Sequence, residues 1–230
     1  MFPWMMLVAA SVIFPAGGSY TYEISTDAGA HFTTTVIVAP QPDGVDTAER
    51  FGTPSPTAWT DQEFDADLHP VLWTGSKRGD PDVLTIALTA LSADYQIGTT
   101  TASLGLDDPA CYLVQDNVLT FSVMLPAVIR ATGASECTLI VSTGVASMVA
   151  TISTIPPRPR PERAAADDSS VTITFGKIVE TVWYDPRSLI PDYLDYGNAD
   201  AILRASSTST TIPATPTPMP SPQASAAPGG

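Results

Sequence analysis

Four carboxylates crowd the stretch DQEFDADLH: Asp61, Glu63, Asp65 and Asp67. Oxygen-rich turns of this kind can hold Ca2+, a hard cation that takes roughly six to eight oxygen ligands. The run does not follow EF-hand spacing, so its simpler reading is a set of acidic, solvated loops. The same groups could furnish the acid and nucleophile of a glycoside hydrolase. Beyond Trp59 and Trp73 nothing nearby suggests a substrate groove.

A second constellation follows in TGSKRGDPD. Arg78, Gly79 and Asp80 spell the tripeptide that integrins read, and Lys77 with Arg78 spells a dibasic processing site. Adhesion would use the Arg charge and the Asp carboxylate side by side, and cleavage would separate them. Gly75, Gly79 and Pro81 make the segment a turn, and Pro81 keeps Asp80 extended. The expectation is an exposed turn open to recognition or cutting.

The two cysteines, Cys111 and Cys137, fit one disulfide in an oxidising compartment. The two histidines, His31 and His69, have no ligand-like spacing to a cysteine, so zinc is not indicated. The sequence lacks GxSxG, HExxH, a P-loop and GxGxxG. No catalytic residue and no organic cofactor are called for, and Ca2+ stands as a weak candidate. Tyr193 and Tyr196, set among Asp192, Asp195 and Asp200, suit tyrosine sulfation or simple surface packing. Neither Asn117 nor Asn198 is an N-glycosylation acceptor.

Something must position these groups, and composition limits what. With 24 acidic against 10 basic residues the net charge is −14, which repels phosphate backbones and argues against nucleic acid. At 44% hydrophobic and 15% charged, the chain can build a core. The apolar Trp4–Phe14 run, followed by Ala16-Gly17-Gly18, resembles a secretory signal peptide over 1–18, although it lacks a basic n-region. Residues 205–230 carry no charge and are rich in Ser, Thr and Pro, as in a disordered, O-glycosylated stalk. Segment 138–157 is uncharged and followed by arginines, which imitates a single membrane span. Its Ser142-Thr143-Gly144 interruption favours two strands instead.

Period-2 alternation dominates: YTYEIST, HFTTTVIV, DVLTIALTAL, NVLTFSVML, ECTLIVS, VASMVATIST and VTITF. The fold expected is mostly β, an antiparallel β-sandwich of Ig-like or jelly-roll-like type. It divides into a main domain over 19–155, a Pro/Arg-rich linker over 156–170, and strands with a short helix over 171–204. The stretch from Ala39 to Pro70 reads as a long surface excursion. Together these features describe a secreted or cell-surface binding or structural protein (an adhesin, wall component or receptor-like ectodomain) whose partner is an extracellular protein or glycan.

Overall fold

The computed structural model describes residues 14–52, 58–76, 82–115 and 119–214. Its first half contains β1 (Gly18–Thr26), β2 (His31–Gln41), β3 (Gly44–Phe51), β4 (Ala58–Asp65) and β5 (Pro70–Ser76). It continues through β6 (Val83–Leu88), β7 (Ser92–Ile97), β8 (Thr100–Gly105) and β9 (Tyr112–Gln115). One helix, α1 (Leu119–Thr132), follows. The second half contains β10 (Glu136–Val141), β11 (Ala146–Ser153), β12 (Ser169–Phe175), β13 (Ile178–Tyr184), β14 (Pro191–Asp195) and β15 (Ala199–Ser207). The expectation of a mostly β chain holds.

All fifteen strands belong to one sheet, in which β1 to β8 run out on one side and β15 to β9 on the other, joined by the β1–β15 pair. The pairs are antiparallel, with the exception of β9 beside β10. Antiparallel neighbours need only a tight turn, whereas parallel neighbours need a crossover, and α1 is that crossover. The sheet is not closed, because its end strands β8 and β9 are not hydrogen-bonded to each other.

A sheet of this length curls instead of lying flat. Its concave face wraps α1, which touches β3, β9, β12, β13 and β14. Tyr22, Val36, Val45, Leu139, Ile173 and Leu194 pack with the helix in one core. The roll then overlaps itself. Leu113 and Leu139 of β9 and β10 face the helix core, while Tyr112, Val114 and Ile140 on their other face pack against Trp73, Ile86 and Tyr95. The Tyr95 hydroxyl donates to the Val141 carbonyl at 3.2 Å, and the His69 and Tyr112 rings stack with centroids 5.3 Å apart across the same seam. Both faces of β9 and β10 are therefore covered, as parallel pairs require.

Several expectations change. Within NVLTFSVML, Leu119–Leu125 are helix and not strand: Leu119–Val128 are all buried inside α1, because the roll surrounds this part of the helix. Ala39–Pro70 is not an excursion. It holds the end of β2, then β3 and β4, whose pattern is obscured because Asp46, Asp61, Glu63 and Asp65 face outward from the convex side. The short helix expected before residue 204 is instead the β14–β15 hairpin, Ala205–Ser207 extend β15 against β1, and residues 215–230 of the expected stalk lie outside the described residues.

Segment 156–170 joins two adjacent antiparallel strands, pinned by Arg158 to Asp195 at 3.3 Å and Arg163 to Asp200 at 3.6 Å. Segment 138–157 contains β10, a turn and β11. Among the described residues no helix is long and apolar enough to cross a membrane. Most of the expected leader lies outside the described residues, but its last part is built into the fold. The Ala16 N–H donates to the Ser188 carbonyl at 2.8 Å, and Tyr20 donates to the Ala16 carbonyl at 2.7 Å.

Candidate functional site

Alternation along the strands puts a run of apolar side chains on the concave face beyond the helix. Phe51 faces Ala58 across β3–β4, Thr60 faces Gly75 across β4–β5, and Trp73 faces Ile86 across β5–β6. Leu84 faces Ile97 across β6–β7, and Tyr95 faces Ala102 across β7–β8. The β10–β11 turn, Ser142–Val145, stands opposite. Between them lies a cavity of about 740 Å3. Gly75 is needed in its wall, since a Cβ there would come 2.5 Å from the Trp73 ring. Phe32 and Ile97, 44% and 38% exposed, add apolar surface to this concave face.

A second cavity of about 650 Å3 adjoins the first, because Phe32 and Phe51 line both. It sits over the N-terminal end of α1, bounded by Leu119 and Phe121, and its walls include Glu180, Gln115 and Tyr196. Buried polar groups there are hydrogen-bonded. The fully buried Glu49 carboxylate accepts from the Thr34 hydroxyl at 2.8 Å, the Thr120 N–H at 2.9 Å and the Thr120 hydroxyl at 3.1 Å. A carboxylate at the first turn of a helix also meets the positive end of its dipole. Beside it, Tyr196 donates to the Ser122 hydroxyl at 3.3 Å, and Ser122 donates to the Glu180 carboxylate at 3.4 Å. Burial, then the Glu180 charge, holds the Tyr196 phenol well above its ordinary range.

The acidic run singled out in the sequence lies elsewhere. Asp61 pairs with Arg50 at 2.6 Å, and Arg50 also sits over the Trp59 ring at 5.8 Å. Asp65 accepts from the N–H groups of Asp67 and His69 at 3.0 and 2.9 Å, which shapes the β4–β5 turn. Burial, then Asp46, raises the Glu63 carboxyl above its usual value. None of the four lines either cavity. Among the described residues no three His, Cys, Asp or Glu gather as a metal site. Lys77, Arg78, Gly79 and Asp80 lie outside the described residues, although Ser76 and Asp82 on either side line the larger cavity.

Cys111, immediately before β9, and Cys137, in β10, are joined, with Cα atoms 4.6 Å apart. The bridge ties together the two parallel strands that α1 connects.

No family model matches the chain, and no curated protein matches it. The fold does have a solved counterpart. It is similar to the crystal structure of a beta-barrel-like protein of domain of unknown function DUF1849 from Brucella abortus, at 14% identity and a TM-score of 0.51. The match covers 86% of this chain and 99% of that one. At that identity the likeness concerns the fold alone.

Sequence reasoning missed Phe32, Phe51, Leu84, Tyr95 and Ile97 as site residues. Their signal was present but indistinct: apolar positions on a strand look alike whether they face a core or a cavity.

Proposed function

We propose that this chain is a secreted or cell-surface binding protein whose ligand presents an apolar moiety to the concave aromatic cavity. One observation carries the reading. A cavity of about 740 Å3, within the usual 300–1,000 Å3 range for ligand sites, is walled by Phe32, Phe51, Trp73, Leu84, Tyr95 and Ile97. The disulfide supports an oxidising compartment. In the same spirit, the overlap of β5–β7 on β9–β10 is the part we class as sandwich-like, two stacked layers within one rolled sheet. The carboxylates suggested for a hydrolase stand outside both cavities, which favours binding over turnover.

Titration with a neutral naphthylamine dye tests this, because Trp73 lies in the wall and reports on filling. Saturable binding with Trp quenching is expected. Phe32→Asn and Ile97→Asn, at half-exposed positions that the core does not need, should each weaken it by about tenfold or less. One Asn replaces roughly one large apolar contact, worth ~1.5–3 kcal/mol when fully buried. Unsaturable binding, or an affinity unchanged from wild type in both variants, would sink the proposal.

A further inference from the structure

We propose that the larger cavity takes an uncharged apolar molecule carrying one alcohol group, and that the Thr60 side chain is its hydrogen-bonding anchor. This deepens the apolar-ligand reading and rests on it.

Thr60 lies on the concave face of β4, in the cavity wall, and is 6% exposed. Its Oγ1 is buried and has no hydrogen-bond partner. A hydroxyl in that state bears its full desolvation penalty, which is why nearly all such groups are bonded to something. Neighbouring hydroxyls on the same face obey the rule. Thr34 donates to the Glu49 carboxylate at 2.8 Å, and Thr47 donates to the Gln62 carbonyl at 3.4 Å. Three other described residues, Arg50, Gln62 and Asp200, also hold an unpaired buried atom, but none of them lines the cavity.

Access to the hydroxyl depends on what stands opposite. Gly75 faces Thr60 across β4–β5, and a Cβ there would lie 3.2 Å from the Thr60 Cγ2. The methyl is thus the part turned toward β5. Gly75 has no side chain to oppose a turn of χ1 by one staggered well, which exchanges methyl and hydroxyl.

The rest of the wall defines the molecule. Asp82, itself exposed, is the one charged side chain among the described residues that line the cavity, while Ser76, Thr100, Thr101, Ser142 and Thr143 are neutral. A charged group carried inward would lose its water and find no sheltered counter-charge in the lining. Glu49, opposite Thr60 on β3, is committed to Thr34 and to Thr120 of the helix and is not part of the lining. An alcohol both donates and accepts, as Thr60 does, so it fits the unpartnered Oγ1 whichever way the proton points.

Equilibrium dialysis against naphthalene, 2-naphthol, 2-naphthoate and 2-naphthylmethylammonium tests this with one ring system and different polar ends. The naphthol should bind at least about threefold more tightly than naphthalene, the scale of one net hydrogen bond, and more tightly than either ion. Thr60→Val keeps the β-branched shape and removes the hydroxyl, so it should bring naphthol and naphthalene to equal affinity. Thr60→Ser should keep the naphthol preference. The melting temperature of Thr60→Val should match or exceed that of wild type, because an unsatisfied group has been removed.

A naphthol preference that survives Thr60→Val, or tightest binding by either ion, would overturn the anchor. So would a clear fall in the melting temperature of Thr60→Val, since the hydroxyl would then be bonded within the fold. Naphthalene bound as tightly as naphthol by wild type would end this inference and leave the apolar reading standing. No binding by any probe would end both.

Discussion

Asp168 and Asp192 meet where the β11–β12 connector touches β14, and they cannot both ionise freely. Burial, then the Asp168 charge, pushes the Asp192 carboxyl up to about 6, and Asp168 is itself raised by burial. In the unfolded chain Asp192 would titrate near ~3.9. Between these values the folded protein keeps a proton that the unfolded chain has released, so stability falls as pH rises through about 6. Asp185 works in the opposite sense. The Arg187 N–H holds its carboxyl below the usual range, so its contribution is lost only at lower pH.

Asp192→Asn should therefore raise the melting temperature at pH 7.5 and leave it nearly unchanged at pH 4. The carboxyl is only partly buried, so the gain is discounted for solvent screening to about 1 kcal/mol, or roughly 2–4 °C for a chain of this size. A calorimetric pH series in which wild type and variant keep the same separation at both pH values would refute this account of the pair.

At the scale of elements, α1 repays comparison with its sequence. Leu119 to Val123 alternate apolar and small polar residues, which is how a strand reads, and Pro126 sits inside the helix. What makes it helical is tertiary: β9 and β10 lie parallel, the chain must cross between them, and the roll leaves a cylinder to fill. Its exit was more legible than its body. Arg130 suits the last turn, and Gly133, at a φ of 63°, ends the helix by donating to the Ile129 carbonyl at 2.8 Å.

The strands tell the same story from the other side. YTYEIST and VTITF were readable because each keeps one apolar face, whereas GVDTAERF hides its alternation. Its inward residue Glu49 caps the helix, and its outward Arg50 is covered by Trp59 and the Pro213 carbonyl. The acidic residues were legible as surface, and the cavity was not, because the difference between facing a core and facing a groove is set by what lies opposite. Leu125 is fully buried midway along α1 and touches only the core. Leu125→Ala should cost about 2–5 kcal/mol in chemical denaturation. A loss below ~1 kcal/mol would show that the helix is not the axis the sheet wraps.

For the whole molecule, the overlap decides how the roll behaves under stress. The helix-centred core draws on both halves of the sheet, whereas β5–β7 are held to β9–β10 by a smaller set centred on Trp73, Ile86, Tyr95, Val114 and Ile140. Cys111–Cys137 secures the inner layer, contributing ~3–4 kcal/mol on the chain-entropy view, but it does not reach the outer one. The outer layer ends in β8, which pairs only with β7 among the described residues. Cooperative units open separately when few apolar contacts join them. The β5–β8 end should then lift before the helix core melts, and since β6 and β7 supply Leu84, Tyr95 and Ile97, that opening widens the larger cavity. Ile140→Ala isolates the effect, because Ile140 is fully buried and points only into the seam. Amides of β6–β8 should exchange at least tenfold faster, the equivalent of ~1.4 kcal/mol, with those of α1 and β12–β15 changed far less. Uniform acceleration across every strand would mean instead that the rolled sheet opens as one unit, and the cavity could then fill only through its exposed mouth.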